Sequence, residues 1–385
     1  MLISRLIRYA AAAAGAAALA AGALAADLKV GLSVSLSGPN SSLGIPYAKG
    51  MQTALAYKPE INGRKVQLIV LDDSSDPTTA GRNARKLIQE DKVDVLIGTS
   101  GVPSAMAMAQ VAKEGATPMI GVTPFAPVDN PWVVAVAQPT QLMVDAVVER
   151  MKRNGIKTVG YIGFSDAWGD LVYDALTKTA PTAGISVVAN ERYARNDQAV
   201  TGQVLKIIAL HPDAVMTGGA GTPGALPFLA LAELGYKGGI YGQHGLINPD
   251  FIRVAGAAGN GALMSTGPVI VAEQLPANYP TRKIALEFRE AFLKVNHAPS
   301  TDAFSAYSFD AWLVFADAAA RALSATKAEP GTPAFRLALR DAIHTTKEVV
   351  GTHGVFNFKP GAVYGVDERA RVIVKLENGQ WKLAP

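Results

Sequence analysis

The amino-acid sequence predicts an α/β protein of two similar parallel-sheet lobes, with helices on both faces and a multi-crossing hinge between them. Short apolar, strand-like runs alternate with helical patterns along the chain, and this alternation is typical of parallel sheets. The alternation starts near Leu28 and starts again near Val144. After an N-terminal segment about 360 residues remain, which favours two domains of about 150 residues each.

Four predicted strands separated by helices lie in the first half of the chain. The strands cover residues 28–36, 66–71, 93–97 and 118–122, and the helices cover 44–57, 78–90 and 104–115. Most of the connections contain Gly, Pro, Ser or Asp, which are the residues that turns favour. We expect these elements to form the first lobe.

The second half repeats the pattern. Helices are predicted at 144–154, 168–180, 200–210 and 223–234, and strands at 158–164, 185–193, 214–217 and 239–241. The C-terminal third adds helices 279–296 and 305–324 and strands 354–358 and 371–376, which we expect to complete the two lobes. We therefore predict a first lobe of 27–139 plus 270–350 and a second of 140–269 plus 351–385. Repeated crossings would make a hinge suited to closure around a ligand.

The N-terminus has the order of a secretory signal peptide. Arg5 and Arg8 precede the apolar run 10–24, and small residues at 23 and 25 supply a cleavage site. The alternative is a membrane anchor, but this run is shorter than the roughly 20 residues that a spanning helix needs. We predict cleavage after Ala25 or Ala26 and export to the periplasm.

Charge and cysteine content argue against a nucleic-acid-binding protein and against a disulfide-stabilised one. Removing Arg5 and Arg8 from the 36 Lys and Arg leaves 34 against 32 Asp and Glu, and no basic run stands out. We therefore expect no nucleic-acid partner. The chain has no cysteine, so no disulfide holds it together, although export would permit one.

No catalytic signature is complete in the sequence. The run 219–224 fits G-x-G-x-x-G after a strand, but the next strand ends without the acid that a dinucleotide site needs. The nearest match to G-x-S-x-G, at 163–167, lacks its second glycine. The five histidines have no metal-ligand spacing, and Asp72 with Asp73 fits a turn better than an acid/base pair. We expect no enzyme activity, no cofactor and no metal.

The turn at 98–104 follows a strand and opens a helix, and it is small and rich in hydroxyl groups. In open α/β sheets ligands lie at the carboxyl ends of strands, where helix N-termini favour anions such as carboxylates. Ordinary helix capping by Ser100 or Ser104 explains the same composition. Both interpretations stand at this point.

Other side chains follow strand ends in the same way. Thr123 and Phe125 lie in the next turn of the first half, and Trp168 and His244 follow strands of the second. Each aromatic residue alone fits a core position. Their joint placement favours a cleft between the lobes.

These motifs, taken in order, resemble the type I periplasmic binding proteins of ABC transporters, the leucine/isoleucine/valine-binding group. The resemblance covers essentially the whole mature chain. It is carried by the runs 28–31, 37–39, 72–77, 97–98, 123–124, 168–169 and 241–245. It implies a monomer that holds a small organic carboxylate and delivers it to a membrane permease.

The resemblance also implies which residues contact the ligand. Its carboxylate would bind the turn containing Ser100, Gly101 and Val102 and the turn containing Thr123 and Phe125. Its body would lie against Trp168. Leu43 and Ala220 fall where the family often places tyrosines.

The sequence departs from the branched-chain amino-acid binders at His244, where they carry a glutamate that neutralises the ligand's ammonium group. An imidazole cannot replace that carboxylate, and an unpaired buried ammonium is costly. The runs 42–46 and 244–245 look more like those of receptors for aromatic acids. We therefore expect an aromatic or hydrophobic carboxylate as ligand. The alternatives are a branched-chain or other hydrophobic amino acid, or a ligand-sensing domain or enzyme on the same fold.

Overall fold

A computed structural model describes residues 27–125 and 129–384. The predicted signal peptide lies outside these residues. The strands are β1 (Leu28–Val34), β2 (Glu60–Ile61), β3 (Arg64–Asp72), β4 (Val95–Gly98), β5 (Met119–Gly121), β6 (Val133–Ala135), β7 (Thr158–Phe164), β8 (Ser186–Tyr193), β9 (Ala214–Gly218), β10 (Gly239–Gly242), β11 (Leu263–Thr266), β12 (Val349–Val350), β13 (Val355–Phe356), β14 (Val372–Glu377) and β15 (Gln380–Leu383). The α-helices are α1 (Ser41–Tyr57), α2 (Pro77–Gln89), α3 (Val102–Glu114), α4 (Thr140–Arg153), α5 (Ala167–Thr179), α6 (Thr201–Ile208), α7 (Leu226–Glu233), α8 (Pro249–Ala255), α9 (Arg282–Asn296), α10 (Phe304–Ala325) and α11 (Pro333–Ile343).

Two large sheets form the two lobes. The first has the order β2-β3-β1-β4-β5-β6 and is parallel except for β2. The second has the order β15-β14-β11-β10-β9-β7-β8, in which β14 pairs antiparallel with both β11 and β15 and the other pairs are parallel. The predicted fold class of two α/β lobes is confirmed, with mixed and mostly parallel sheets.

Helices cover the faces of each sheet, which explains why the central strands read as continuous apolar runs. Six of the seven β1 residues are buried, for example. The long helix α10 packs along α1 and is buried over most of its length. The C-terminal third therefore completes the first lobe through α9, α10 and α11 and the second through β14 and β15. Within the described residues, no helix is long and apolar enough to cross a membrane.

The chain passes between the sheets in three stretches of the described residues: at 136–139 after β6, near Gly267 after β11, and before β14. The sequence predicts the last crossing at residue 350, and this bound stays a prediction. Tyr364 forms a parallel bridge with Ala135 of the first sheet, and Ala135 N donates to Val363 O at 2.8 Å. We therefore propose that the last crossing follows Tyr364 and not residue 350.

The sequence patterns missed several short elements. The strands β6 and β11 have only three and four residues. The helix α8 has seven residues and begins at Pro249 behind an Asn248 cap. Elements of this length carry too few periods for a hydrophobic pattern to show.

Candidate functional site

A cavity of about 20 Å³ lies between the two lobes, at the carboxyl ends of β4, β5, β9 and β10. Its lining residues are Leu43, Tyr47, Ser100, Gly101, Val102, Val122, Thr123, Pro124, Phe304 and Tyr307 from the first lobe, and Trp168, Arg195, Ala220, His244 and Gly245 from the second. A single water needs about 10–15 Å³ on this scale. An organic ligand therefore requires the lobes to part.

The N-terminus of α3 forms one wall of the cavity. The helix begins at Val102, and no side chain caps it at the Gly101 position. The Ser100 hydroxyl instead accepts a hydrogen bond from the Ser35 N–H at 2.9 Å. The capping interpretation of this turn is therefore wrong, and the first amides of α3 are left for an anion.

The two acids near this turn are structural. Asp73 is buried and accepts hydrogen bonds from the hydroxyls of Ser35, at 2.6 Å, and of Thr99. Burial raises the pKa of its carboxyl. Asp72 accepts from the backbone N–H groups of Leu36 and Ser74, both at 2.8 Å. The pair joins strand ends to turns, as the turn interpretation of these acids predicts.

Trp168 and His244 face the cavity from the second lobe. Asp166 caps α5 by accepting from Trp168 N at 3.0 Å, and Trp168 Nε1 donates to Gly219 O at 3.3 Å. The Trp168 ring meets the His244 ring edge to face, with centroids 5.6 Å apart. These contacts fix the indole as a rigid wall.

His244 has unused hydrogen-bonding capacity. The side chain is buried, and among the described residues neither ring nitrogen has a partner. Burial lowers the pKa of His244 to about 3, so the ring is neutral at pH 7. A neutral imidazole carries one donor and one acceptor. An unpaired, buried polar ring next to a cavity is well suited to contact a ligand.

The two cavity tyrosines use their hydroxyl groups within the protein. Tyr47 donates to Val122 O at 2.8 Å, and Tyr307 donates to Gln138 Oε1. Their rings, with that of Phe304, are therefore left as apolar surface toward the cavity.

Arg195 was not predicted and is the one charged side chain among the described residues that line the cavity. Its Nε donates to Asp166 Oδ2 at 2.6 Å, and its guanidinium lies 4.0 Å from the centroid of the Phe164 ring. Arg195 follows the carboxyl end of β8. The strand-end rule that selected Trp168 and His244 would therefore have found it.

All the predicted site residues except Phe125 line this one cavity. Phe125 is completely buried, and its ring packs against Gly121 of β5, so it belongs to the core of the first lobe. The ring of Phe125 therefore does not line the cavity, and its expected part in ligand binding stays a prediction. No group of three or more metal-ligating side chains occurs in the part of the chain that the structure describes.

A family model described as periplasmic binding protein matches residues 27–361. The chain belongs to the periplasmic binding protein family. It is a non-enzymatic solute-binding protein of an ABC transporter.

Solved and curated proteins agree with this family. The periplasmic binding protein described here is 40% identical to an extracellular ligand-binding receptor from Rhodopseudomonas palustris HaA2, with a TM-score of 0.89 over 94% of this chain and 100% of that one. It is 26% identical to a Leu/Ile/Val-binding protein homolog of Brucella melitensis biotype 1, over 62% of this chain and 67% of that protein. A solute-binding protein from R. palustris in complex with benzoate shares the fold, with 24% identity and a TM-score of 0.78 over 93% and 95% of the two chains.

Proposed function

We propose that this protein captures a small aromatic or hydrophobic carboxylate between its two lobes. The charge of the cavity lining carries the proposal. The lining contains Arg195 and the uncapped N-terminus of α3, and it contains no carboxylate among the described residues. The helix N-terminus favours an anion, and Arg195 adds a cation beside the cavity whose charge is partly offset by its ion pair with Asp166. An α-amino acid would bring an ammonium group that finds no counter-charge there, which is costly in a buried site.

The shape of the lining supports an apolar or flat ligand body. Trp168 from the second lobe and Phe304 and Tyr307 from the first are aromatic residues of the lining. Aromatic rings stabilise one another through edge-to-face and offset contacts. We propose that Ser100, Gly101, Val102 and Thr123 bind the carboxylate and that Trp168, with Leu43 and Ala220, contacts the body. His244 would then hydrogen-bond a polar substituent.

The second candidate ligand is a branched-chain or other hydrophobic amino acid. Curated relatives at 26% identity are named Leu/Ile/Val-binding and amino acid binding proteins. Leu43 and Val102 would suit an aliphatic side chain as well as a ring. The two candidates differ in the ammonium group, so one measurement separates them.

Titration calorimetry of the mature chain with benzoate and with leucine tests the proposal. We expect saturable heat with benzoate and none with leucine at the same concentrations. An Arg192→Gln variant is a matched control, because Arg192 pairs with Asp170 at 2.9 Å and does not line the cavity. Tight leucine binding without a response to benzoate would overturn the proposal in favour of the amino acid.

Residues 1–26 complete the proposed function as a cleaved signal peptide. The mature monomer would then deliver its ligand to a membrane permease. N-terminal sequencing of the exported protein tests the cleavage, and a start at Met1 would contradict it.

A further inference from the structure

Among the described residues, two hydrogen bonds at the start of α1 join the lobes directly across the cleft, in addition to the backbone bond from Ala303 N to Ile247 O at 3.1 Å. Arg195 Nη1 of the second lobe donates to Asn40 Oδ1 of the first at 2.9 Å. The Thr222 N–H of the second lobe donates to Ser42 Oγ of the first at 3.1 Å. Asn40 and Ser42 stand at the start of α1, and neither belongs to the chain crossings.

The second lobe holds the Arg195 side chain rigidly. Its Nε pairs with Asp166, its guanidinium stacks on Phe164, and the side chain is only 15% exposed. Asp166 is also the residue that caps α5 at Trp168. The cation that reaches Asn40 is thus fixed to the same turn that positions the cavity tryptophan.

The first lobe holds Asn40 just as firmly. Its backbone N–H donates to Ser75 Oγ at 3.0 Å. Its Nδ2 lies so close to Gly101 that a Cβ at that glycine would come within 2.8 Å of it. Asn40 therefore borders the turn proposed to bind the carboxylate, and neither Asn40 nor Ser42 lines the cavity.

The Ser42 contact depends on the backbone of the facing turn. Gly221 has φ +60°, and a Cβ there would lie 2.7 Å from Ser42 Oγ. Gly221 N donates to Gly245 O at 2.8 Å, which anchors this turn to the cavity residue beside His244. A side chain at position 221 would push the lobes apart.

We propose that Asn40 and Ser42 of the first lobe, with Arg195 and the Thr222 N–H of the second, form a latch that stabilises the closed protein. Asn40 is a positioning residue, because it acts through Arg195 and does not line the cavity. The latch sets how long a captured ligand stays bound. The effect on ligand residence time rests on the proposed function. The latch itself does not, because its contacts join the two lobes of the protein without a ligand.

Distance measurements without ligand test the latch directly. The chain has no cysteine, so spin labels at Leu205→Cys in the second lobe and Leu337→Cys in the first report on a single pair of sites. Both leucines are exposed, at 48% and 43%. We compare the parent protein with Asn40→Ala, Ser42→Ala, Arg195→Gln and the control Arg192→Gln, which breaks an ion pair inside the second lobe.

We expect each latch variant to lower the ratio of closed to open protein by about tenfold, the effect of one lost hydrogen bond to a charged or buried group. Arg192→Gln should leave the distance distribution unchanged. Asn40→Asp keeps the acceptor for Arg195 and should restore the closed population. Distributions that coincide in all the variants, or an Asn40→Asp protein as open as Asn40→Ala, would overturn the proposal.

Ligand release supplies a second readout, with benzoate as the probe. Asn40→Ala and Ser42→Ala should release benzoate about tenfold faster, with little change in the association rate. Unchanged release from a protein that binds benzoate would refute the role of the latch in residence time. If benzoate does not bind the parent protein, the proposed ligand fails and the ligand-free distances still decide the latch.

Discussion

The ring of Tyr307 stacks on the ring of His353, with centroids 3.8 Å apart and planes inclined by 11°. Tyr307 lines the cavity, and its hydroxyl donates to the Gln138 side chain at the first crossing. Gln138 Nε2 in turn donates to Ala370 O, which precedes β14, at 2.9 Å. One buried amide therefore connects the wall of the cavity to two of the stretches about which the lobes must turn.

Replacing Gln138 should destabilise the protein strongly. In Gln138→Leu, the Tyr307 hydroxyl and the Ala370 carbonyl both lose their partner in a buried environment. We expect a loss of about 2–4 kcal/mol in the free energy of unfolding, measured by urea denaturation. Gln141→Leu is the control, because Gln141 is half-buried on α4 and bonds to Asp145 and Thr179. Equal losses in the two variants would contradict a special role for Gln138.

Gly267, at the second crossing, should not tolerate a methyl group. A Cβ there would overlap His353 Nδ1 and lie 2.7 Å from Gln138 Nε2. Gly267→Ala should therefore cost about 1–3 kcal/mol through overpacking, measured as a lower urea midpoint. Gly202→Ala in α6 meets no atom within 4 Å and should be stabilising by about 0.4–1 kcal/mol. A Gly267→Ala protein as stable as the parent would show that the hinge is loosely packed.

Local sequence patterns predict most of the helices and strands, but they predict only some of the residues of the site. The predicted strand 158–164 coincides with β7, and α10 differs from its prediction by one residue at each end. Strand-end positions found Trp168 and His244 because parallel strands bring their carboxyl ends to one edge. That rule also selected Phe125, whose ring turns back into the core, which no local pattern shows.

The remaining site residues depend on contacts between distant parts of the chain. Tyr307 reaches the cavity because α10 packs on α1, more than 200 residues away in sequence. The bond between Arg195 and Asn40 spans 155 positions. Neither residue stands in a motif, and α10 is so uniformly apolar that Tyr307 resembles any other core residue. Packing of α10 on α1 within the first lobe places Tyr307, and a contact across the cleft, which no periodicity shows, pairs Arg195 with Asn40.

Two buried histidines should make the protein less stable in mild acid. Burial lowers the pKa of both His244 and His353 to about 3, against an ordinary value of 6.5. Between these values the two histidines bind more protons in the unfolded chain than in the folded one, so their contribution to stability falls as pH decreases from 6.5 toward 3. Each histidine should contribute up to about 1.4 kcal/mol per pH unit.

The free energy of unfolding at pH 7 and at pH 5.5 measures this effect. The His244→Gln side chain cannot take up a proton. In this variant the decrease in the free energy of unfolding between pH 7 and pH 5.5 should be smaller than in the parent by about 1 kcal/mol. His297→Asn, at the exposed end of α9, should leave the loss unchanged. A His244→Gln protein with the acid sensitivity of the parent would show that His244 is protonated in the fold.

The identity of residue 244 should decide between the two proposed ligand classes. A glutamate at this buried position would repel a carboxylate ligand and would neutralise an ammonium group. We expect His244→Glu to weaken benzoate binding by about 100-fold or more and to produce measurable binding of leucine, both by titration calorimetry. His244→Gln keeps one donor and one acceptor without charge, so it should hold benzoate within about tenfold of the parent. A thermal melt of each variant shows whether the fold survives the substitution. If a folded His244→Glu protein binds benzoate as tightly as the parent does, His244 does not face the ligand, and residue 244 does not determine which ligand class is bound.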